Sequence, residues 1–196
     1  GSGGDEIAKR LASELGIPFY NNDIITKIAK ESGVNTKIFE SMDETAANSF
    51  LYSLVMGVYT SVNEKAELDY ISIGDKIFKI QSSIIKKIAS EGPCVILGRC
   101  ADFILKDNPI CLNVFIHAQM GKRIEQNQKL LKVKKEEIEK NIIKVDKKRS
   151  NYYSYYTKRK WGDSDNYHIS LDSGFIGIEN SIKIIKNAVP RQYIMQ

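Results

Sequence analysis

The sequence predicts a single α/β domain with a parallel sheet, because short apolar runs alternate with amphipathic helical segments in its second half. Such runs are typical of strands buried on both faces, and they occur at Cys94–Leu97, Cys111–His117 and Tyr167–Leu171. Helical patterns separate and follow them, and this alternation predicts parallel βαβ units. The 196 residues suit one domain, and no linker or repeat divides residues 1–196.

The first half of the chain is predicted to be mainly helical. Ile7, Leu11 and Leu15 recur at helical spacing, and Gly16 can end this helix. Residues 17–20 are predicted to be extended, because the residue before a proline avoids the helical region. The remaining helices are predicted near residues 22–33, 36–66, 75–91, 99–106, 118–131, 134–159 and 178–189.

Composition argues against several functional classes. No apolar run approaches the roughly 18 residues that a membrane span needs, and no signal peptide is visible, so we expect a cytoplasmic protein without a membrane partner. The net charge of +5 suits an anionic ligand and is too small to indicate nucleic acid. Zinc-ligand spacing is absent, and we expect buried, reduced thiols at Cys94, Cys100 and Cys111.

The chain begins with Gly1-Ser2-Gly3-Gly4, which leads directly into the first helix. Glycines allow a tight backbone whose N–H groups point at an anion, and the helix N-terminus adds further N–H groups. The pattern resembles a phosphate-binding loop, although a P-loop carries a lysine where this chain continues into Asp5 and Glu6. The alternative is a flexible terminus, since Gly/Ser runs often remain from cloning.

A phosphate loop in a parallel sheet needs a strand that leads into it, because ligands bind at the carboxyl ends of strands. Removing that strand would leave unpaired backbone groups on two neighbours, at about 1–3 kcal/mol for each buried group. We therefore expect the full protein to contain a strand before Gly1, and a sheet that does not need this strand is the alternative. Two neighbouring strands separated by an empty strand position would support the first interpretation.

Several arginines could bind phosphate groups. Phosphoryl transfer depends on backbone N–H groups, magnesium and cationic side chains, and it needs no histidine or serine nucleophile. Arg99 follows Gly98 at the carboxyl end of a predicted strand, and Asp102 lies one helical turn further on. Asp146 and Arg149 share one helical face, and surface ion pairs are the alternative explanation for all of these residues. The candidate arginines are Arg99, Arg123, Arg149 and Arg159.

The stretch Lys129–Lys148 is rich in lysine and is followed by a cluster of tyrosines. A basic helix can bind nucleic acid or cover a nucleotide as a lid, and a solvated helix with partly balanced charge is the alternative. Tyrosines can stack on bases, but at this spacing they point around the helix, so some must pack and some must be exposed. The tyrosines are Tyr152, Tyr153, Tyr155 and Tyr156.

Taken together, these segments resemble the cytidylate kinase-like family, a branch of the P-loop nucleoside monophosphate kinases. The resemblance covers nearly the whole chain and rests on the order and spacing of its motifs. These motifs are Gly1–Gly4 with Glu6–Lys9, Leu15–Tyr20, Gly92–Asp102, Val114–Ile116 with Arg123, Asp146–Arg149 with Tyr152 and Tyr153, Trp161–Asp163, and a closing strand and helix from Tyr167.

The resemblance implies a three-layer α/β/α P-loop kinase fold with a parallel sheet and a helical lid at about 134–160. It also implies ATP as the phosphoryl donor, Mg²⁺, and CMP or a related nucleotide as the acceptor. The residues implied to hold the donor phosphates are Gly1, Ser2, Gly3, Gly4, Asp5 and Glu6. The branch usually lacks the P-loop lysine but commonly has a basic residue at Asp5, and an aspartate there repels phosphate unless magnesium bridges it. Asp5 is therefore the candidate metal ligand.

The resemblance also implies residues for the acceptor and for catalysis. Arg99 looks like the arginine that grips the acceptor phosphate, and Lys27 lies where bacterial cytidylate kinases carry an acceptor-binding arginine. Asp146 and Arg149 match an Asp-x-x-Arg pair in the lid that serves the acceptor and the phosphate being transferred. The implied catalytic residues are Arg99, Asp146 and Arg149, and the implied substrate-binding residues are Lys27, Arg99, Asp102 and Arg123.

Three hypotheses of function remain open at this point. The first is a kinase that transfers phosphate from ATP to CMP, and the second is a non-catalytic nucleotide-binding or regulatory protein that kept the fold. The third is a nucleic-acid-binding module that uses the lysine-rich helix and binds with a steep dependence on salt. The sequence leaves the acceptor base and the formation of a homodimer open.

Overall fold

The computed structural model describes residues 1–31, 73–130 and 134–189, so the helix predicted at 36–66 lies outside the described residues. These residues form a mixture of helices and short parallel strands, which confirms the predicted α/β class. In chain order the elements are α1 (Gly4–Leu15), β1 (Phe19–Tyr20), α2 (Asn22–Glu31), α3 (Ile73–Glu91), β2 (Val95–Ile96), α4 (Ala101–Ile104), β3 (Val114–His117), α5 (Met120–Leu130), α6 (Lys135–Thr157), a 3-10 turn (Ser164–Asn166), β4 (Ile169–Asp172) and α7 (Ser173–Ala188).

The described strands form two separate parallel pairs. Phe19 of β1 lies opposite Val95 of β2, and Val114 of β3 lies opposite Ile169 of β4. Val95 and Val114 nevertheless pack on the same apolar cluster, so one core layer serves both pairs. The strand predicted before Gly1 stays a prediction.

Three apolar clusters hold the helices in place. The first joins α1 and α7 to the β3–β4 pair, the second joins α2, α3 and α4, and the third joins α5 to α6. The third cluster contains no strand residue, so this apolar contact joins α6 to α5 and not to a sheet. The buried members are Ile7, Leu11, Leu171, Ile182 and Ile185 in the first cluster, Ile25, Ile84, Ile85, Ile88 and Ala101 in the second, and Ile124, Ile138 and Ile142 in the third.

The last helix begins earlier than its apolar pattern predicts. It was expected near 178–189, but α7 starts at Ser173 because the Asp172 carboxylate accepts hydrogen bonds from the N–H groups of Gly174 and Phe175. Gly177 then breaks the helical geometry with φ 80°, so the amphipathic pattern becomes regular only after it.

The helix expected at 99–106 is shorter in the structure, where α4 covers only Ala101–Ile104. Arg99 and Cys100 both adopt left-handed backbone with φ 57°, which prevents the helix from starting before Ala101.

The expectations from composition can be compared with the described residues. None of the described helices combines the length and the apolarity that crossing a membrane requires. The three cysteines are free thiols, of which Cys100 is buried while Cys94 and Cys111 are only partly buried. Burial raises the pKa of Cys100 to about 12, so this thiol stays protonated at neutral pH.

A glycine exchange tests the geometry at the start of α1. Gly3 has φ 73°, and a Cβ added there would lie 2.4 Å from Cδ1 of Ile178. We expect Gly3→Ala to lower the free energy of unfolding by about 1–2 kcal/mol, mainly through the left-handed backbone, because the end of the isoleucine side chain can move. Urea unfolding followed by circular dichroism measures this change.

Gly121→Ala is the matched control. An added Cβ at Gly121 meets no atom within 4 Å, and this glycine lies in the first turn of α5. Alanine favours a helix, so we expect a gain of up to about 1 kcal/mol. Equal effects of the two exchanges would contradict the left-handed geometry at Gly3.

Candidate functional site

The glycine segment, residues 1–4, lies at the carboxyl ends of β3 and β4. The Ser173 hydroxyl lies 2.6 Å from the carbonyl oxygen of Ser2 and 2.9 Å from that of His117, so it can donate to either. His117 is the last residue of β3, and Ser173 directly follows β4. Ligands bind at this edge of parallel sheets, so the segment occupies a position typical of an anion site.

The glycine segment packs closely against α5 and leads into the open end of α1. A Cβ added at Gly1 would lie 2.7 Å from Nδ2 of Asn127 and 3.2 Å from Cβ of Arg123. The carbonyl oxygen of Gly3 accepts from the N–H of Ile7 at 2.9 Å, which begins the helical hydrogen bonds. The N–H groups of the first turn have no partners within the helix, and they are donors that an anion could use.

The two acidic residues in the first turn of α1 are paired along the helix. The Asp5 carboxylate lies 2.7 Å from Nζ of Lys9, and the Glu6 carboxylate lies 3.7 Å from Arg10. Acidic residues in a first helical turn also stabilise the helix dipole, which gives both residues an ordinary structural explanation. Within the described ranges, no three Asp, Glu, His or Cys side chains cluster in a way that could hold a metal, so metal binding by Asp5 stays a prediction.

A two-point ion pair links α5 to α6 beside the glycine segment. Nη1 and Nη2 of Arg123 lie 2.5 Å and 2.9 Å from the two carboxylate oxygens of Asp146. The Arg123 side chain is only 15% exposed and that of Asp146 is 25% exposed. The buried Nε of Arg123 has no hydrogen-bond partner among the described residues. Arg123 therefore keeps one unused donor in the region that the sequence predicted to bind a nucleotide.

Charged side chains surround the glycine segment. Burial lowers the pKa of the Gly1 amino group, the charges on Arg123 and Arg149 lower it further, and Asp146 raises it. Arg149 is exposed and makes no ion pair with the part of the chain that the structure describes. Two arginines and one carboxylate thus act on this segment, which leaves a positive balance that suits a phosphate group.

Arg99 lies at the carboxyl end of β2 in an unusual backbone conformation. Gly98, Arg99 and Cys100 have φ values of 75°, 57° and 57°, so three consecutive residues are left-handed. For residues with a Cβ this costs about 1–2 kcal/mol each, and such conformations cluster at functional sites. The Arg99 guanidinium carbon lies 5.5 Å from the centre of the Tyr152 ring on α6. The α6 helix therefore contacts Arg99 as well as Arg123.

Asp102 is engaged in a different part of the structure. Its carboxylate accepts a 2.6 Å hydrogen bond from the hydroxyl of Tyr153, a buried residue of α6. Asp102 lines a pocket of about 300 Å³ together with Asn113 and His168, which precede β3 and β4, and with Arg159. The structure thus places Asp102 and Arg159 near the amino ends of these strands, whereas the glycine segment lies at the carboxyl ends. A role of Asp102 in binding substrate stays a prediction.

The structure brings together most of the residues predicted for the site. Gly1–Gly4, Arg123, Asp146 and Arg149 form one neighbourhood, and Arg99 is connected to it through α6. Lys27 lies in α2, and its predicted contact with the acceptor stays a prediction.

Sequence reasoning missed Ser173, which fixes the glycine segment to both strands. The helix-capping signal of Asp172 directly before it could have drawn attention to this position.

The fold and this site together describe an α/β protein with a glycine-rich segment at the carboxyl ends of parallel strands. The sequence model of the cytidylate kinase-like family matches residues 1–174. The chain therefore belongs to the cytidylate kinase-like family.

A solved structure is similar to this chain over nearly its whole length. It is the crystal structure of an uncharacterized protein from Eubacterium ventriosum ATCC 27560, with 26% sequence identity and a TM-score of 0.70. The match covers 96% of this chain and 92% of that chain. No curated protein matches this chain significantly.

Disrupting the ion pair tests whether it fixes α6 on α5. We expect Asp146→Asn to lower the free energy of unfolding by about 1–3 kcal/mol, between the values for exposed and fully buried pairs, because Arg123 would keep its partly buried charge without a partner. Chemical unfolding monitored by tryptophan fluorescence measures the change.

The control for this test is Lys122→Ala, which removes an exposed pair with Glu125 on the same helix and should cost less than about 0.5 kcal/mol. The double exchange Arg123→Met with Asp146→Leu should restore part of the loss, since no unpaired charge remains. If Asp146→Asn lowered the free energy of unfolding as little as the control does, the ion pair would add nothing to stability.

Proposed function

We propose that this protein is an ATP-dependent nucleoside monophosphate kinase whose acceptor is CMP or a closely related nucleotide. The observation that carries the proposal is the glycine segment at the carboxyl ends of β3 and β4, with Arg123, Asp146 and Arg149 around it. Membership of the cytidylate kinase-like family supports this choice. The proposal includes a three-layer P-loop kinase fold in which α6 is the lid.

In this proposal the glycine segment and the first turn of α1 hold the donor phosphates. The exposed guanidinium of Arg149 is suited to phosphate oxygens. Mg²⁺ typically binds one or two carboxylates together with substrate phosphates, and Asp5 is the candidate carboxylate in this proposal. When bound, Mg²⁺ would neutralise charge on the phosphates of the donor.

The transfer itself needs positioning more than acid–base chemistry. An oxygen of the acceptor phosphate forms a bond to the γ-phosphorus, the bond from that phosphorus to the β–γ bridging oxygen breaks, and ADP leaves with the electron pair. The acceptor phosphate is already anionic, so no strong base is needed. Arg99 would hold the acceptor phosphate, and Arg149 would neutralise charge on the group in transfer. Asp146 accepts two hydrogen bonds from Arg123 and so fixes the orientation of this guanidinium beside the glycine segment.

The second candidate is a nucleotide-binding protein without catalytic activity. Asp5 and Glu6 in the first turn of α1 favour it, because two carboxylates stand where phosphate loops usually carry a lysine and a magnesium-binding hydroxyl. Turnover and binding distinguish the candidates. ATP binding without transfer to CMP, dCMP or UMP would support the second and reject the first.

Exchanging Arg99 tests its proposed contact with the acceptor. We expect Arg99→Ala to lower kcat/KM for CMP by roughly 10²–10³-fold, as for other preorganised charge-stabilising donors, with little change in thermal stability. A coupled assay of ADP formation measures the rates.

Arg10→Ala is the control for this prediction, because Arg10 pairs with Glu179 on the outer surface of α1 and α7. Its removal should leave the kinetic constants unchanged. A similar loss in both variants would show that Arg99 has no specific role.

The exposed Phe175 is a candidate to contact the base of the donor. Its side chain is 88% exposed, its N–H is held by Asp172, and it lies two residues after Ser173, which contacts the glycine segment. Stacking of a base on an aromatic ring contributes about 1–3 kcal/mol. We therefore expect Phe175→Ala to weaken ATP binding by roughly tenfold or more, with calorimetry as the measurement.

Inorganic tripolyphosphate separates this effect from a general loss of the site, because it carries the phosphates without a base. Its affinity should be unchanged by Phe175→Ala. Ile110→Ala removes another exposed apolar side chain, 55% exposed, and should change neither affinity. Equal weakening of ATP and tripolyphosphate would argue against stacking.

A further inference from the structure

The tyrosine cluster of α6 packs against α3. The ring of Tyr156 stacks on that of Phe78 with centroids 3.9 Å apart and an interplanar angle of 5°. Tyr152 contacts both rings edge-on, at 4.9 Å from Tyr156 and 6.4 Å from Phe78. Aromatic pairs at these distances stabilise a structure beyond the area they bury. The cluster therefore fixes the Tyr152 ring between the two helices.

Tyr152 is also held at its polar end. Its hydroxyl donates to Oε1 of Gln81 on α3 at 3.3 Å, and Gln81 is only 4% exposed. A buried amide needs hydrogen-bond partners, so both groups gain from this contact. Ring packing and this hydrogen bond together leave one face of Tyr152 for the guanidinium of Arg99, which lies 5.5 Å from the ring centre.

The contact between Tyr152 and Arg99 holds a cation without cancelling its charge. Burial raises the pKa of Tyr152 to about 12, while the charge of Arg99 and a hydrogen bond from its side chain act in the opposite direction, so the phenol is neutral at physiological pH. Arg123, by contrast, has a carboxylate partner. A neutral tyrosine holds a guanidinium within about 6 Å of its ring and does not neutralise its charge, which stays available to an anion.

We propose that Tyr152 is a positioning residue for Arg99, held in place by Gln81, and that it couples the position of this arginine to α6. The proposal rests on the proposed function, in which Arg99 binds the acceptor phosphate. The left-handed backbone at Arg99 directs its side chain toward α6, and the ring of Tyr152 stabilises this otherwise costly conformation. Because Asp146 and Arg149 lie on the same helix, α6 positions groups for both the donor and the acceptor.

Kinetics with a double-mutant cycle test the role of Tyr152. We expect Tyr152→Leu to raise the KM for CMP by about 3- to 30-fold, the range of cation–π contacts, with the KM for ATP unchanged. In the Arg99→Ala background the same exchange should have no further effect on CMP, because its target is gone. Equal effects in both backgrounds would overturn the proposal.

Conservative variants and a control separate positioning from stability. Tyr152→Phe keeps the ring and loses the hydroxyl's hydrogen bonds with Gln81 and Arg99, so its effect on the KM for CMP should be smaller than that of Tyr152→Leu. Gln81→Leu removes only the first of these bonds and should raise the KM for CMP no more than Tyr152→Phe does, and these two variants test the role if Tyr152→Leu fails to fold. Tyr155→Leu removes an exposed ring of α6 that packs on Tyr156, and it should leave both KM values unchanged. If Tyr155→Leu raised the KM for CMP as much as Tyr152→Leu, both variants would act by destabilising α6. That result would overturn the proposal.

A spectroscopic measurement makes the two proposals separable. In the intact protein the Nε–H resonance of Arg99, assigned through Arg99→Lys, should be shifted by the Tyr152 ring current, and Tyr152→Leu should abolish that shift. An unchanged resonance would overturn the contact whatever the activity. A changed resonance with an unchanged KM for CMP would overturn the positioning role. If the ring-current shift is present but the protein transfers no phosphate, the proposed kinase is rejected, and with it the role of Arg99.

Discussion

The ion pair between Arg123 and Asp146 is the contact on which the arrangement of the site depends. The apolar cluster between α5 and α6 can hold the helices together, but apolar packing is not directional. Two hydrogen bonds between planar groups fix a distance and an orientation, and so they define one register of α6 on α5. Partial burial makes any other register costly, because each charge would then lose its partner.

This register determines what the rest of α6 can reach. Residues three and four apart share a helical face, and the rise from Asp146 to Tyr153 is about 10 Å. Along this length the helix presents Asp146 and Arg149 near the glycine segment, Tyr152 to Arg99, and Tyr153 to Asp102. Contacts with α5, with the glycine segment and with residues 99–102 therefore depend on the position of one helix.

Local sequence patterns predicted the helices and strands well, whereas they did not predict the contacts between residues that are distant in the chain. The periodicity of α1 and the apolar runs of the strands were sufficient to predict these elements, because burial of their apolar side chains determines both patterns. The sequence did not predict the break at Gly177 or the left-handed backbone at Arg99, because tertiary packing determines the backbone geometry there. Arg123 and Asp146 were each predicted for the site, but their pairing across 23 positions was not, since no local spacing encodes it.

The absence of a lysine after the glycine segment weighs less against the proposed kinase than the sequence alone indicates. Asp5 is the residue most unfavourable to phosphate, but its charge is balanced at 2.7 Å by Lys9. The Asp5–Lys9 pair therefore adds little net negative potential to the glycine segment, because opposite charges at this distance largely cancel beyond it. Arg123 and Arg149 act on the same segment from α5 and α6 and outnumber the single carboxylate of Asp146. A lysine in the glycine segment would keep its position relative to that segment, whereas Arg149 is positioned by the register of α6. In the proposed kinase, the positive potential at the glycine segment would therefore depend on the position of α6.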